Sequence, residues 1–402
     1  MFTVTKIYYR IFQFVFNICA RLLPWRKAKI EKGADAIRRI PKLLSTSKLS
    51  RPMLVTDEGL IKAGVTQRVL DVLNENDVSY VLYSNVTPNP SVNTVNEIYD
   101  IYIKNRCDSF IPVGGGSVID ASKAAAARVA RPQKSVQKLG GLLKVLKKIP
   151  TIIAVPTTAG TGSETTIASL ITDTDTHHKY AIMDLALIPR YAILDPTLTI
   201  GLPPHITGTT GMDALTHAVE AYLCWTYNTK ESLRFAEEAT RLIFENLLDA
   251  YEDGTNLKAR ENMLQASYMA GFAFTRAGVG NIHAIAHTLG GLYNTPHGLA
   301  NAVILPVVLE DYGEKIYRKL ATLATIAKVS VGTDDAENAK AFIAAIRELN
   351  NRMNIGRSFN FILEKDIPQM VSWASKEANP LYPVPVIYDK DRFINIIFKI
   401  SS

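Results

Sequence analysis

Residues 110–124 read FIPVGGGSVIDASKA, an apolar strand candidate followed by three glycines and the start of an alanine-rich helix. Comparable strand candidates alternate with helical segments between about residue 30 and residue 200. Strands that alternate with helices predict a parallel sheet covered by helices on both faces. The strand candidates are residues 53–56, 80–83, 110–113, 151–155 and 191–194.

Two loops that directly follow strand candidates have a composition suited to a nucleotide. Glycines at 114–116 would let backbone amides approach a phosphate, and the helix that opens there favours negative charge at its first turn. The second loop, residues 156–166, reads PTTAGTGSETT and offers hydroxyl groups and backbone amides. The GxGxxG fingerprint is absent and ordinary turns also use glycine, so the two loops together, rather than either one, indicate a nucleotide site. Ser117 and Asp120 are also spaced as a capping pair for the helix.

Asp57 follows the first of these strands. A carboxylate in this place could accept hydrogen bonds from both hydroxyls of an adenosine ribose and would repel a 2′-phosphate, which favours NAD over NADP. The same residue could equally be the N-cap of the helix that begins at Glu58.

Three of the seven histidines fall in residues 280–306, GNIHAIAHTLGGLYNTPHGLANAVILP. His283 and His287 are four residues apart, so on a helix both rings leave the same face. We expect Gly290 and Gly291 to end this helix, and a turn then presents His297. Neutral imidazole is a common ligand of transition metals, although a single helical histidine is more often a core or surface residue.

A second segment, residues 207–222, repeats the four-residue spacing with Asp213 and His217. An unpaired carboxylate is costly to bury, and a bound cation would explain an acid among apolar neighbours. The alternative is that Asp213 is an N-cap or a surface acid. Both metal-site candidates lie in a carboxyl-terminal half in which helical segments follow one another. We therefore expect an α/β domain over residues 31–203 and a helical domain over residues 204–402.

The net charge of +7 is concentrated at the amino terminus. Residues 1–30 carry six basic and no acidic side chains, so the rest of the chain is near neutral and a basic nucleic-acid-binding face is unsupported. Residues 6–23 place a narrow polar stripe at helical intervals, formed by Lys6, Arg10, Gln13, Asn17 and Arg21. Their apolar runs are shorter than the roughly 20 residues that span a bilayer. This extension is either a helix lying in the plane of an anionic membrane surface or a helix that covers the body or a partner subunit.

Cys19, Cys107 and Cys224 are far apart and form no CxxC pair. Their spacing favours a reducing compartment, and we expect a cytoplasmic protein that could also contact the membrane surface.

The chain resembles the iron-containing alcohol dehydrogenase family through GGGSVIDASKA, PTTAGTGSE, GMDALTHAVEAY and HAIAHTLGGLYNTPHGLANAVILP, from about residue 57 to residue 313 and beyond. The resemblance implies a Rossmann-like nucleotide-binding domain followed by a helical metal domain, as in the dehydroquinate synthase-like architecture, and a homodimer. It implies NAD and Fe(II), with Zn(II) as an alternative occupant. It implies four metal ligands, Asp213, His217, His283 and His297, and leaves His287 as a non-ligand near the nicotinamide. The cofactor residues that it implies are Asp57, Asn89, Gly115, Gly116, Ser117, Thr157, Thr158 and Lys179.

The function that we predict is an NAD-dependent and metal-dependent alcohol dehydrogenase, which interconverts a primary or small secondary alcohol and its aldehyde or ketone by hydride transfer. His287 would relay the alcohol proton or would only orient the site. A polyol or sugar-phosphate dehydrogenase, or an NAD-assisted cyclising lyase, would need basic side chains around its substrate. The candidate metal segments are flanked instead by Phe272, Phe274 and Tyr293, with Arg276 as the nearby base. The alternative from a different functional class is a membrane-associated binding or scaffold protein, in which the metal site would be structural.

Overall fold

The computed structural model describes residues 2–174 and 178–401, apart from the side chains of Phe2, Thr3 and His178. The chain forms two compact units. The α/β unit comprises Pro24–Pro203 and Asp253–Tyr268, and the helical unit comprises Met1–Leu23, Pro204–Glu252 and Met269–Ser402. The three-part domain division predicted from the sequence stays a prediction.

The described residues of the α/β unit contain two sheets. Their strands are β1 (Lys29–Lys32), β2 (Pro52–Val55), β3 (Val81–Tyr83), β4 (Ser109–Gly114), β5 (Gly141–Leu142), β6 (Thr151–Pro156), β7 (Ala168–Asp173), β8 (His178–Met183) and β9 (Tyr191–Leu194). The larger sheet has the order β1-β9-β6-β4-β2-β3 and is parallel throughout, which confirms the predicted fold class. The smaller sheet, β5-β8-β7, was not predicted. Nor was β1, because its sequence KIEK is charged and exposed and has no apolar run.

The helices occur in both units. They are α1 (Phe2–Arg21), α2 (Ile40–Thr46), α3 (Glu58–Lys62), α4 (Val65–Glu75), α5 (Val92–Lys104), α6 (Gly116–Ala130), α7 (Val136–Leu139), α8 (Pro204–Leu223), α9 (Lys230–Glu252), α10 (Leu257–Ala277), α11 (Asn281–Tyr293), α12 (His297–Tyr312), α13 (Tyr317–Ile326), α14 (Asp335–Arg352), α15 (Ile367–Ala378) and α16 (Lys390–Ser401). The expectation that Gly290 and Gly291 end the histidine helix is wrong. Helix α11 continues through both glycines and ends where Asn294 adopts a left-handed conformation with φ of 52°.

Side chains of the large sheet alternate between two buried cores. Met53 and Val55 pack in the core that contains α5 and α6, whereas Leu54 packs in the core that contains α2 and α4. Successive residues of a strand point to opposite faces, so helices on both sides bury every position of β2. The strands β2, β4 and β6 are neighbours and parallel, and the loops that follow them meet at one edge of the sheet.

In the helical unit, α12 packs against α8 and α11. The contact with α8 depends on Gly298, because a β-carbon at this position would collide with the carbonyl oxygen of Thr209. Glycine therefore lets the first turn of α12 lie directly on α8. This close approach determines where His297 is placed.

Helix α1 lies on the helical unit with its polar stripe inward. Among the described residues, no helix combines the length and the apolar character needed to cross a bilayer.

Candidate active site

Four candidate metal ligands converge inside the helical unit. Asp213 and His217 lie on α8, His283 lies on α11, and His297 is the first residue of α12. One side-chain donor atom from each lies within 4.8 Å of the others. Asp213 Oδ1 is 3.5 Å from His297 Nε2 and 3.9 Å from His283 Nε2. The four residues that the family resemblance implied as ligands are thus neighbours in space.

Asn301, one turn after His297 on α12, shows where the donor atoms point. Its Nδ2 lies 2.6 Å from Asp213 Oδ1, 3.1 Å from His283 Nε2 and 3.2 Å from His297 Nε2. An amide nitrogen carries only two protons, so it cannot satisfy all three acceptors at once. Three lone pairs directed at one region, with a further imidazole beside them, fit a divalent cation. Fe(II), Zn(II), Co(II) and Ni(II) all accept three nitrogens and one oxygen.

Glu220 holds the ring of His283 from behind. Its Oε2 lies 2.6 Å from His283 Nδ1, and the carboxylate also accepts hydrogen bonds from the backbone amides of Gly280 and Ile282 at 2.8 and 2.9 Å. Burial raises the pKa of Glu220 to about 8. A carboxylate on Nδ1 orients the imidazole and leaves Nε2 to coordinate a metal. Glu220 is not among the predicted site residues, although a residue three after His217 and seven after Asp213 falls on the same helical face.

The aromatic ring of Phe274 lies against one of the candidate ligands. Its ring stacks on His217 with the centroids 4.1 Å apart, and His217 in turn stacks on His283 at 4.4 Å. Phe272, in contrast, packs on Phe235. Tyr293 donates a hydrogen bond to Asp366 and packs on Phe361. Of the aromatic residues expected to flank the site, Phe274 contributes an apolar surface directly at it.

His287 lies beside the cluster and is held by an acid. Its Nδ1 is 2.6 Å from Glu377 Oε1, which also accepts a hydrogen bond from the Tyr382 hydroxyl at 2.7 Å. The His287 ring stacks on His297 at 5.2 Å, and its buried Nε2 has no hydrogen-bond partner in the part of the chain that the structure describes. Burial would raise the pKa of Glu377, but the nearby His287 and the two hydrogen bonds outweigh it and lower this pKa. Glu377 lies ninety positions from His287, so no local pattern could have identified it.

The two predicted nucleotide loops touch each other in the α/β unit. Thr157 donates its backbone N–H to the carbonyl oxygen of Gly114 at 3.1 Å. A β-carbon at Gly116 would lie 2.6 Å from Thr161 Cγ2, and one at Gly115 would lie 3.2 Å from Thr158 Oγ1. The side chains of the second loop occupy this space, so the glycines permit an approach that other residues would block.

The remaining predicted cofactor residues of the α/β unit have local partners. Asp57 Oδ1 accepts a hydrogen bond from the Leu60 amide at 2.9 Å, so Asp57 is the N-cap of α3. Lys179 Nζ donates to Asn89 Oδ1 at 3.0 Å, and Asn89 has a left-handed φ of 53°. The capping hydrogen bond uses the Oδ1 atom of the Asp57 carboxylate. The contact between Asp57 and the adenosine ribose of NAD stays a prediction.

Known protein families match almost the whole chain. A model described as iron-containing alcohol dehydrogenase matches residues 27–196, and one described as the C-terminal part of the Fe-containing alcohol dehydrogenase family matches residues 207–400. The chain belongs to the iron-containing alcohol dehydrogenase family.

Relatives of this alcohol dehydrogenase agree with that assignment. The 1,3-propanediol dehydrogenase of Klebsiella pneumoniae is 39% identical over 352 residues, which cover 86% of this chain and 90% of that protein. The NAD-dependent methanol dehydrogenase of Bacillus methanolicus is 33% identical over 338 residues, covering 83% of this chain and 88% of that protein. A crystal structure of 1,3-propanediol oxidoreductase has a TM-score of 0.90 at 34% identity and covers 94% of this chain and 100% of that one. The predicted enzyme class, an NAD-dependent and metal-dependent alcohol dehydrogenase of the iron type, is confirmed at the level of the family.

The second predicted nucleotide loop of this alcohol dehydrogenase is hydrogen-bonded to two buried ionisable side chains of α6. Asp120 accepts hydrogen bonds from Ser163 Oγ at 2.5 Å and from the Leu170 amide at 2.9 Å. Lys123 Nζ donates to the carbonyl oxygens of Thr166 and Ala168 at 3.0 and 2.9 Å. Burial lowers the pKa of Lys123 to about 8. The predicted Ser117–Asp120 capping pair is wrong, since Gly115 is the N-cap and Asp120 ties the helix to the loop.

Proposed function

We propose that this enzyme interconverts a short primary or small secondary alcohol and its aldehyde or ketone with NAD. Asp213, His217, His283 and His297 would hold one divalent cation, Fe(II) or Zn(II). The observation that carries the proposal is the convergence of these four donors from three helices within 4.8 Å. The names of the propanediol and methanol dehydrogenases that it resembles support a short alcohol or diol as the substrate.

In the oxidation, the alcohol loses one proton and one hydride. When bound, a divalent cation in this site supplies Lewis-acid stabilisation of charge on the substrate oxygen. Glu220 fixes the tautomer and orientation of His283, since its carboxylate accepts the Nδ1 proton. NAD, when bound, would supply the acceptor for the hydride.

His287 and Glu377 would carry the alcohol proton toward solvent. The buried Nε2 of His287 is the atom that accepts this proton, and Glu377 on Nδ1 stabilises the imidazolium that forms. Tyr382 donates its hydroxyl to the same oxygen of Glu377 and holds the carboxylate in place. In the reducing direction the same imidazolium returns a proton to the product oxygen.

The surroundings of the site favour an uncharged substrate. Phe274 stacks directly on His217 and offers an apolar surface. Glu377, which pairs with His287, is ionised because its pKa is lowered, and its negative charge would repel a phosphate or carboxylate group. These contacts speak against a sugar-phosphate substrate.

NAD binding is proposed for the edge where β2, β4 and β6 end. Gly115, Gly116, Ser117, Thr157 and Thr158 would contact the pyrophosphate and adjacent ribose, Asp57 the adenosine ribose, and Asn89 and Lys179 the remaining polar groups. The negative charge of Asp57 supports NAD over NADP.

A cytoplasmic location and a homodimer complete this proposal. Cys19, Cys107 and Cys224 are all free thiols in the structure, which suits a reducing compartment. Light scattering on the purified protein would determine the oligomeric state. Membrane contact through α1 is a separate proposal.

The test is a chain-length series. Purified protein loaded with Fe(II) or Zn(II) is mixed with NAD or NADP and with alcohols and diols of increasing length, and formation of NADH or NADPH is followed by absorbance. We expect turnover with short alcohols and a higher kcat/KM with NAD than with NADP, and little turnover with a polyol phosphate. Protein that carries a full equivalent of metal but oxidises none of the alcohols would refute the proposal.

A further inference from the structure

An ordinary amphipathic surface helix packs its apolar face on the protein and turns its polar face to solvent. Helix α1 does the opposite, because its polar stripe packs on the helical unit. Gln13 on its polar stripe is fully buried against the helical unit. The amide Nε2 donates to the carbonyl oxygens of Pro380 and Tyr382 at 2.9 and 2.7 Å, and Oε1 accepts from Trp225 Nε1 at 2.6 Å. A fully bonded buried amide fixes the rotation of the helix about its own axis.

Two more residues of the stripe anchor the helix in the same rotation. Arg10 donates to the carbonyl oxygens of Val384 and Pro385 at 2.8 and 3.1 Å, and its guanidinium lies over the ring of Trp225 at 4.8 Å. Asn17 donates to the carbonyl oxygen of Thr226 at 2.8 Å. The stripe thus binds backbone carbonyl oxygens of the helical unit and leaves the opposite face of α1 outward.

The outward face is apolar along its whole length. Its large side chains are between 49% and 82% exposed, and they are Val4, Ile7, Tyr8, Ile11, Phe14, Val15, Ile18 and Leu22. Their spacing of three and four residues makes one continuous stripe, about 27 Å long at 1.5 Å per residue. A contiguous exposed apolar surface of this kind marks an interaction site. We call these eight apolar side chains the outer stripe.

Basic groups accompany the outer stripe. Residues 1–30 carry six basic side chains and no acid, and Arg21 is exposed at the end of the helix. A groove beside α1 is lined by Lys6, Arg10, Lys315 and Arg392. Asp311 pairs with Arg392, while Arg10 donates to neutral carbonyl oxygens, so the groove keeps a positive charge. Apolar side chains next to a groove lined by basic side chains match the boundary between acyl chains and anionic headgroups.

We propose that α1 docks this enzyme on an anionic lipid surface, with the outer stripe inserted among the acyl chains near the headgroups. The helix would lie in the membrane plane rather than span it, because its other face is hydrogen-bonded to the helical unit. The family matches begin at residue 27, so the docking helix lies outside the matched residues. Docking would therefore place the enzyme without taking part in its chemistry.

A second copy of the chain fits this surface less well. A symmetric pair would bring two acid-free basic segments toward each other. A lipid surface has no minimum contact area and supplies the opposite charge.

The experiment is sedimentation of the full-length, metal-loaded enzyme with vesicles of phosphatidylcholine, with or without phosphatidylglycerol. The test variant is Ile11→Ser with Phe14→Ser, both on the outer stripe. The matched control is Val331→Ser with Phe398→Ser, which removes apolar side chains that are 70% and 46% exposed elsewhere in the helical unit. Lys315→Gln tests the charged groove. Thermal unfolding and alcohol oxidation are measured for every variant. All the replaced side chains lie away from the candidate active site, so alcohol oxidation should stay at the wild-type level.

We expect the wild type and the control to bind vesicles that contain phosphatidylglycerol, less strongly at high salt, and the outer-stripe variant to bind at least about tenfold more weakly. Lys315→Gln should reduce the preference for anionic over neutral vesicles. All variants should keep wild-type alcohol oxidation. The proposal is overturned if the wild type does not sediment with anionic vesicles, or if the outer-stripe variant binds like the control. It is likewise overturned if light scattering shows that the outer-stripe substitutions break an oligomer while vesicle binding is absent.

Discussion

The carboxylate of Glu220 lies 2.6 Å from the Nδ1 atom of His283, on the side of the ring that faces away from Asp213 and His297. Two backbone amides, of Gly280 and Ile282, hold the same carboxylate in place. The start of α11 is therefore fastened to α8 through the residue that orients a candidate metal ligand. Metal affinity and the position of α11 should depend on the same side chain.

Glu220→Gln should weaken divalent-metal binding by about 10-fold to 100-fold, since the loss of a carboxylate behind a ligating histidine has this effect. Affinity is measured by competition with a chelator, together with thermal unfolding of the metal-free protein. Glu252→Gln is the matched control, because Glu252 is the last residue of α9 and forms an exposed ion pair with Arg352 of α14. Equal affinities in Glu220→Gln and the control would contradict this role.

His287→Ala should reduce kcat by about 10²-fold or more and change the pH dependence of kcat/KM, because a proton relay contributes roughly 10²-fold to 10⁴-fold. Glu377→Gln should shift the same pH profile while His287 remains present. Tyr382→Phe serves as the milder control, since it removes only one hydrogen bond to Glu377. An unchanged pH–rate profile in His287→Ala would exclude the relay and leave His287 a purely positioning role.

Local periodicity accounts for the parts of the site that the sequence predicts. Asp213 with His217 and His283 with His287 are each one helical turn apart, and that spacing survives any tertiary arrangement. Glu220 follows the same rule on α8, and Asn301 lies one turn after His297 on α12, so a search for further polar residues one or two turns from each candidate ligand could have found both. Glu377 carries no such signal, because only the packing of α15 on α11 brings it to His287.

The orientation of α1 could not be predicted for a related reason. The sequence predicts a polar stripe and an apolar face, but not which of them meets the protein. Burial usually favours the apolar face. Here the carbonyl oxygens of Pro380, Tyr382 and Val384 accept hydrogen bonds from the stripe, and tertiary structure alone determines where they lie.

Gly116→Ala should weaken NAD binding while leaving metal content unchanged. Its β-carbon would lie 2.6 Å from Thr161 Cγ2 and would push the two nucleotide loops apart. Gly201→Ala is the control in the same unit, because a β-carbon there meets no atom within 4 Å. The measurement is the Kd for NADH by fluorescence. A Kd for Gly116→Ala equal to that of the control would show that this contact does not position the cofactor loops.

Glu164 should make the stability of the α/β unit depend on pH. Burial raises the pKa of Glu164 to about 7 from an ordinary value of 4.5. Because the folded pKa lies above the unfolded one, this group's contribution is fully present below about pH 4.5 and is lost as the pH rises through about 7. The free energy of unfolding of the wild type, relative to Glu164→Gln, should fall by up to about 3 kcal/mol across this window.

Urea denaturation of the metal-free proteins at several pH values measures this difference. Groups common to both proteins cancel in the comparison, and Glu58→Gln, at an exposed site on α3, provides the control. A difference that stays constant between about pH 4.5 and 7 would show that Glu164 titrates as it does in the unfolded chain.

The central claim is that Asp213, His217, His283 and His297 hold one divalent cation on which alcohol oxidation depends. Metal analysis of the wild type and of His297→Ala tests it most directly, because His297 is the least buried of the four and its loss should leave the fold intact. We predict about one equivalent of Fe(II) or Zn(II) per chain in the wild type. In a folded His297→Ala protein we predict little metal and no dehydrogenase activity. A folded His297→Ala protein that retains a full equivalent of metal and wild-type turnover would contradict the claim.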